Sequence, residues 1–157
     1  MQKRILVEHS SDTLRSSANW LDLEEIADVE VSSENPDYPI ESALLPDRGE
    51  GWRAAKPGKQ TIRLLFKPAQ HIHCVSLEFV ETEFQRTQEY ALRVSQDNGK
   101  GFEEMVRQQW NFSPDGSTSE TELHRIEKEN VTHIELIITP DIQHQQTVAT
   151  LKRLQVA

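Results

Sequence analysis

The densest run of side chains with coordinating chemistry is His71-Ile72-His73-Cys74. Imidazole and thiolate both bind zinc, so the run invites a metal reading. On a strand, however, His71 and His73 share one face while Cys74 points to the other. One tetrahedral site cannot draw all three from that geometry without a bulge, and no second Cys or His pair has fitting spacing. No metal and no cofactor are therefore expected. Serines, histidines and carboxylates are plentiful, yet the chain has no G-x-S-x-G, H-E-x-x-H, P-loop or G-x-G-x-x-G arrangement. Acidic pairs such as Glu24-Glu25 and Glu103-Glu104 read as solvated faces. The expectation is a protein without catalysis.

Trp52 and Arg53 offer binding chemistry instead. An indole face can stack on a sugar ring while a guanidinium supplies paired donors to its hydroxyls. The same tryptophan could anchor its loop from inside, which is the preferred reading for Trp52; Arg53 is left open. Trp110 alternates with Val106 and Phe112, which assigns it to the core.

The elements that must position these residues read as strands. In residues 88–114, Tyr90, Leu92 and Val94 alternate with Ala91, Arg93 and Ser95, and Phe102, Val106, Trp110 and Phe112 share the even positions of the return. Between them, Asn98-Gly99 supplies the residues that tolerate positive φ, so the stretch predicts a β-hairpin. Further strands are expected over residues 3–9, 29–33, 61–66, 72–80, 121–126, 131–139 and 148–156. A short helix capped by Asn19 is one of two readings for residues 20–27, irregular packing on Trp20 and Leu23 the other. Residues 34–59 hold four prolines and three glycines and read as a long loop packed by Tyr38, Ile40, Leu44, Leu45 and Trp52. About eight short strands with turns between them predict an all-β antiparallel sandwich or jelly roll. No repeat or linker interrupts the chain, so residues 29–157 are expected to form the domain and residues 1–28 an N-terminal extension packed on it.

A chain of 157 residues with 36% hydrophobic and 27% charged content suits one globular domain. Its net charge of −9 argues against nucleic acid and against an anionic membrane surface, because both need concentrated Lys and Arg. The single cysteine, Cys74, can form no internal disulfide and is expected in a strand core. The apolar run Ile5-Leu6-Val7 is far too short for a signal peptide or a membrane span, so a cytoplasmic setting is expected.

Residues 31–34, 39–44, Trp52, residues 62–68, 90–99 and 149–156, in this order, resemble a discoidin domain. That is the factor V/VIII type C module with a galactose-binding-like jelly roll. The resemblance spans residues 29–157 and implies that loops 34–59, 80–87 and 141–147 gather at one end. It implies a ligand contact for Arg86, at a loop tip, with Phe84 beside it as a stacking face and Arg53 and His144 as neighbours. The plainer alternative for Arg86 is a solvated guanidinium pairing with Glu81, Glu83 or Glu89. Relatives often hold calcium between an Asp after the first strand and a Glu on the last. Asp47 fits the first position, but Arg153, a cation, stands at the second. The expected function is a non-catalytic module recognising a carbohydrate through Trp52, Arg53, Phe84, Arg86 and His144. The alternative is a protein–protein interaction domain in the cytoplasm, alone or as a homo-oligomer.

Overall fold

Two strands of unusual length organise the molecule. The computed structural model describes residues 19–157. In chain order it places helix α1 (Leu23–Ile26), β1 (Ala27–Val31), helix α2 (Glu41–Leu44), β2 (Trp52–Arg53), β3 (Gln60–Val80), β4 (Arg86–Ser95), β5 (Glu103–Phe112), β6 (Ser119–Thr139), β7 (Thr150–Leu151) and β8 (Arg153–Val156). The strand expected at residues 3–9 and most of the expected extension lie outside the described residues.

β3 and β6 pair antiparallel along their whole length, from Gln60 opposite Ile138 to Val80 opposite Ser119. Each therefore runs through both layers of a sandwich. The first half of β3 lies between β1 and the second half of β6, which continues to β4 and β5. The second half of β3 carries β8 on its other side. Register shifts between Leu65 and Cys74 mark where the ribbon folds over, with Pro68 at the irregularity, where a strand tolerates a residue lacking an N–H. Runs 61–66 and 72–80, which the sequence separates, are thus one bent strand, as are 121–126 and 131–139.

Alternation decides what is covered. Ile62, Leu64, Leu92, Ile134, Leu136 and Ile138 from the first layer meet Val75, Leu77, Phe79, Ile126, Leu154 and Val156 from the second in one core. At roughly 1.5–3 kcal/mol per fully buried aliphatic or aromatic side chain, this core is the main stabilising term. The β4–β5 hairpin forms as its pattern predicts, with Asn98 at φ 61° and Gly99 at φ 82°. Trp110 packs half-buried against the core, its Nε1 donating to Ser117 Oγ at 3.0 Å. Cys74 is a free thiol and only half-buried.

At the N-terminal side, α1 occupies the centre of the expected helix, following Asp22 rather than Asn19. Leu23 is buried in the core, and Leu21 N donates to Val156 O at 2.7 Å, which ties this segment to β8. Among the described residues no helix is long and apolar enough to cross a membrane.

Candidate functional site

The loop between β1 and β3 is fixed by its own polar residues. Ser32 and Ser33 hydroxyls donate to Gln60 Oε1 at 2.6 and 2.7 Å, and Gln60 itself is buried. Glu34 Oε2 accepts from Ile40 N at 2.9 Å, closing the turn that leads into α2. Within the loop, β2 pairs with β7, Trp52 opposite Leu151 and Arg53 opposite Thr150. Two residues of strand send two side chains opposite ways: Trp52 inward and Arg53 outward.

This arrangement opens a concavity of about 680 Å³ at the end of the sandwich where the 34–59, 80–87 and 141–147 loops converge. Tyr38, Arg53, Glu81, Phe84, His144 and Lys152 are among its lining. The Arg53 guanidinium carbon sits 4.9 Å from the centroid of the Tyr38 ring, a cation–π arrangement that holds the head group at the wall. Phe84 is 62% exposed, the most exposed large apolar side chain among the described residues. Val80 and Ile142, the other two such residues, sit beside Glu81 and Asp141 of the same lining. Carboxylates from Glu50, Glu81, Glu83 and Asp141 outnumber the cations Arg53 and Lys152.

Of the residues expected to bind, Arg53, Phe84 and His144 do meet at this concavity. Two of the five expected binding residues need correction, Trp52 in favour of the anchoring role preferred for it and Arg86 outright. Trp52 forms part of the wall but is only 1% exposed, and its Nε1 donates inward to Ser33 O at 3.1 Å. It anchors the loop and offers no free face for stacking. Arg86 is no loop tip: it is the first residue of β4 and 2% exposed. Its Nε donates to Glu81 Oε1 at 2.7 Å, and its Nη1 donates to Gln88 Oε1 and to Pro140 O. The guanidinium carbon also lies 4.8 Å from the Phe112 ring centroid. Arg86 thus bolts two of the three loops together from beneath, and Glu81 is the partner.

Below Arg86 a polar seam crosses the core, which sequence reasoning missed. Gln88 and Tyr90 of β4 face Glu120, Glu122 and His124 of β6, with Gln108 of β5 donating to both glutamates. Tyr90 Oη and His124 Nε2 are 2.6 Å apart. Burial, with the neighbouring glutamates, raises the Tyr90 hydroxyl well above its ordinary value, so the phenol keeps its proton and donates. Burial lowers His124, consistent with a neutral imidazole as acceptor. Burial pushes Glu120 up to about 7, against the opposing hydrogen bond from Gln108. Period-two parity carries the signal, since Arg86, Gln88 and Tyr90 share the inward phase of Leu92 and Val94.

A calcium site of the kind the resemblance implies does not fit. Asp47 and Arg153 line one shallow concavity together with Arg48, so two guanidinium groups stand where calcium needs oxygen donors. Among the described residues the carboxylates there do not converge to ligand spacing.

Residues 21–135 match the model of the XRCC1 N-terminal domain. The chain belongs to the XRCC1 N-terminal domain family. This family has the galactose-binding-like fold, in agreement with the sandwich seen here. Solved structures share that fold at low identity. CpGH89CBM32-5 from Clostridium perfringens, in complex with GalNAc-β-1,3-galactose, is 18% identical over 88% of this chain and 99% of its own, with a TM-score of 0.64. CBM32-3 from a Clostridium perfringens family 31 glycoside hydrolase is 16% identical over 87% and 93%, with a TM-score of 0.65. The family 32 module of Clostridium perfringens NanJ, in complex with galactose, is 16% identical over 87% and 96%, with a TM-score of 0.59. Among curated proteins nothing matches. In this XRCC1 N-terminal-type domain, the concavity lies where β3 and β6 end.

Proposed function

We propose that the domain is a non-catalytic binding module whose loop-end concavity takes a carbohydrate. The observation that carries this is Phe84, held 62% exposed at a concavity that also presents the Arg53 guanidinium. An exposed aromatic face, a fixed cation and several carboxylates are the groups that stack on and hydrogen-bond a sugar ring. Solved modules of this fold, two of them in complex with galactose-containing or galactose ligands, support the ligand class. Titration with galactose and N-acetylgalactosamine, followed by amide chemical shifts, is the test. Saturable shifts in residues 81–85 and 144–147 are expected, and Phe84→Ala or Arg53→Ala should weaken binding by about tenfold, in line with a stacking or charged contact of about 1–2 kcal/mol. Absence of saturation at millimolar sugar would remove this reading.

A second reading is favoured by the rim. The three large apolar side chains most exposed among the described residues, Val80, Phe84 and Ile142, all stand at this end. Such clustering suits a protein partner that supplies an apolar anchor and basic groups facing the exposed Glu50 and Glu83 carboxylates. A photocrosslinker placed at Phe84 would capture such a partner, and Val80→Ser with Ile142→Ser would abolish capture while leaving any sugar shifts intact.

A further inference from the structure

We propose that His71, His73 and Glu127 form a zinc site at the pole opposite the concavity. Strand alternation puts both imidazoles on one face of β3, with ring centroids 4.2 Å apart. The third donor comes from β6. Ile72 faces Lys128 and Cys74 faces Arg125, so residues 126 and 127 together oppose the single residue His73. This bulge, with Glu127 at φ 50°, turns the Glu127 side chain onto the face of the two histidines. Bulges of this type re-aim side chains at functional sites.

The distances match the chemistry. Glu127 Oε2 lies 3.1 Å from His73 Nδ1 and 3.5 Å from His71 Nε2, and one donor atom from each residue falls within 4.8 Å of the others. Donors at zinc–ligand distances around 2.0–2.2 Å in a tetrahedron are about 3.4 Å apart. Without metal, the carboxylate accepts and His73 Nδ1 donates, so zinc would take the place of that proton. Lys128, the nearest cation in sequence, is turned to Glu103 at 3.0 Å. The backbone beneath is fixed, with His73 N donating to Ala157 O at 2.7 Å. Two histidines and a glutamate are a known zinc donor set, and they leave one position open to water or to a donor from a bound partner. Seven strand steps from His73 to Val80 separate this cluster from the concavity by about 23 Å of strand.

The test uses the chelator-stripped chain, zinc titration by calorimetry and cobalt as a visible-absorption probe. One zinc per chain and a tetrahedral cobalt spectrum are expected. His73→Ala and Glu127→Gln should each weaken binding by about tenfold or more, as loss of a ligand does at least as much as loss of its support. Cys74→Ser should leave both readouts unchanged. All three ligands are exposed, so far-UV circular dichroism should show the variants folded. No heat of binding up to about 1 mM zinc, an affinity range far weaker than zinc sites show, would overturn the proposal. So would zinc binding that survives both ligand substitutions or depends on Cys74.

Discussion

At the scale of single residues, Arg86 shows how burial changes the meaning of a charge. An exposed arginine paired with a glutamate contributes little, whereas a buried one cannot lose its partner or its side chain cheaply. Here the guanidinium satisfies Glu81, Gln88 and the Pro140 carbonyl and lies over Phe112. Arg86→Ala strands the Glu81 carboxylate, whose side chain is only 14% exposed. It is expected to destabilise the fold by about 3 kcal/mol in urea denaturation. Arg86→Lys should rescue little, because an ammonium has no planar fork to span three acceptors. A loss within about 0.5 kcal/mol would instead match an exposed arginine of the kind the sequence suggests. Phe84→Ala belongs to the opposite case: a mostly exposed ring should change binding and leave the urea midpoint in place.

Among the elements, the smallest ladder does the most for the site. β2 and β7 share only two residue pairs, yet they place Arg53 at the concavity wall. Gly51 precedes β2 with φ 83°, and a Cβ there would stand 2.9 Å from Leu151 O and 3.1 Å from Lys152 Cα. Both neighbours are backbone and cannot move aside without shifting β7. Gly51→Ala is therefore expected to lose about 1–3 kcal/mol through left-handed strain and contact. It should also disturb the Arg53–Tyr38 stack, so thermal midpoint and ligand shifts should fall together. Gly49→Ala, which meets nothing within 4 Å, is the matched control.

On the scale of the whole molecule, the polar seam makes stability depend on pH. Glu120 titrates near 4.5 in the unfolded chain and at about 7 in the folded one. Between those values the folded state holds more protons. The stability Glu120 contributes is thus complete below about pH 4.5 and is lost as pH rises through 7, up to about 3 kcal/mol at 1.36 kcal/mol per pKa unit. His124 works in the other direction, since a neutral buried imidazole loses stability as pH falls through its ordinary range. Glu120→Gln removes only the first contribution. Its gain over the unsubstituted chain should be greater at pH 8 than at pH 5, measured by urea midpoints at both. Equal midpoint differences at the two pH values would show that Glu120 is ionised throughout.

Local chemistry settled the β4–β5 hairpin, the packed loop of residues 34–59 and where most strand segments lie, but not that 61–66 with 72–80, and 121–126 with 131–139, are single bent strands. Alternation, an Asn-Gly turn and proline placement act over a few residues and are written in order along the chain. The same pattern placed Phe84, Arg53 and His144 outside the expected strands, and the resemblance to a discoidin domain, not the local pattern, implied that their loops gather at one end, as they do. Tertiary structure alone decided which faces of those alternations would be covered. Arg86 shares its inward phase with Leu92 and Val94, but its charge argued for solvent until Glu81, Gln88 and Pro140 came to surround it. Trp52 turned inward because β2 pairs with β7, nearly a hundred residues away. Glu127 joined His71 and His73 through a bulge whose register depends on β3 and β6 together. Side-chain parity is a property of one strand; burial and bulge placement belong to a pair of strands, and only the folded chain brings the pair together.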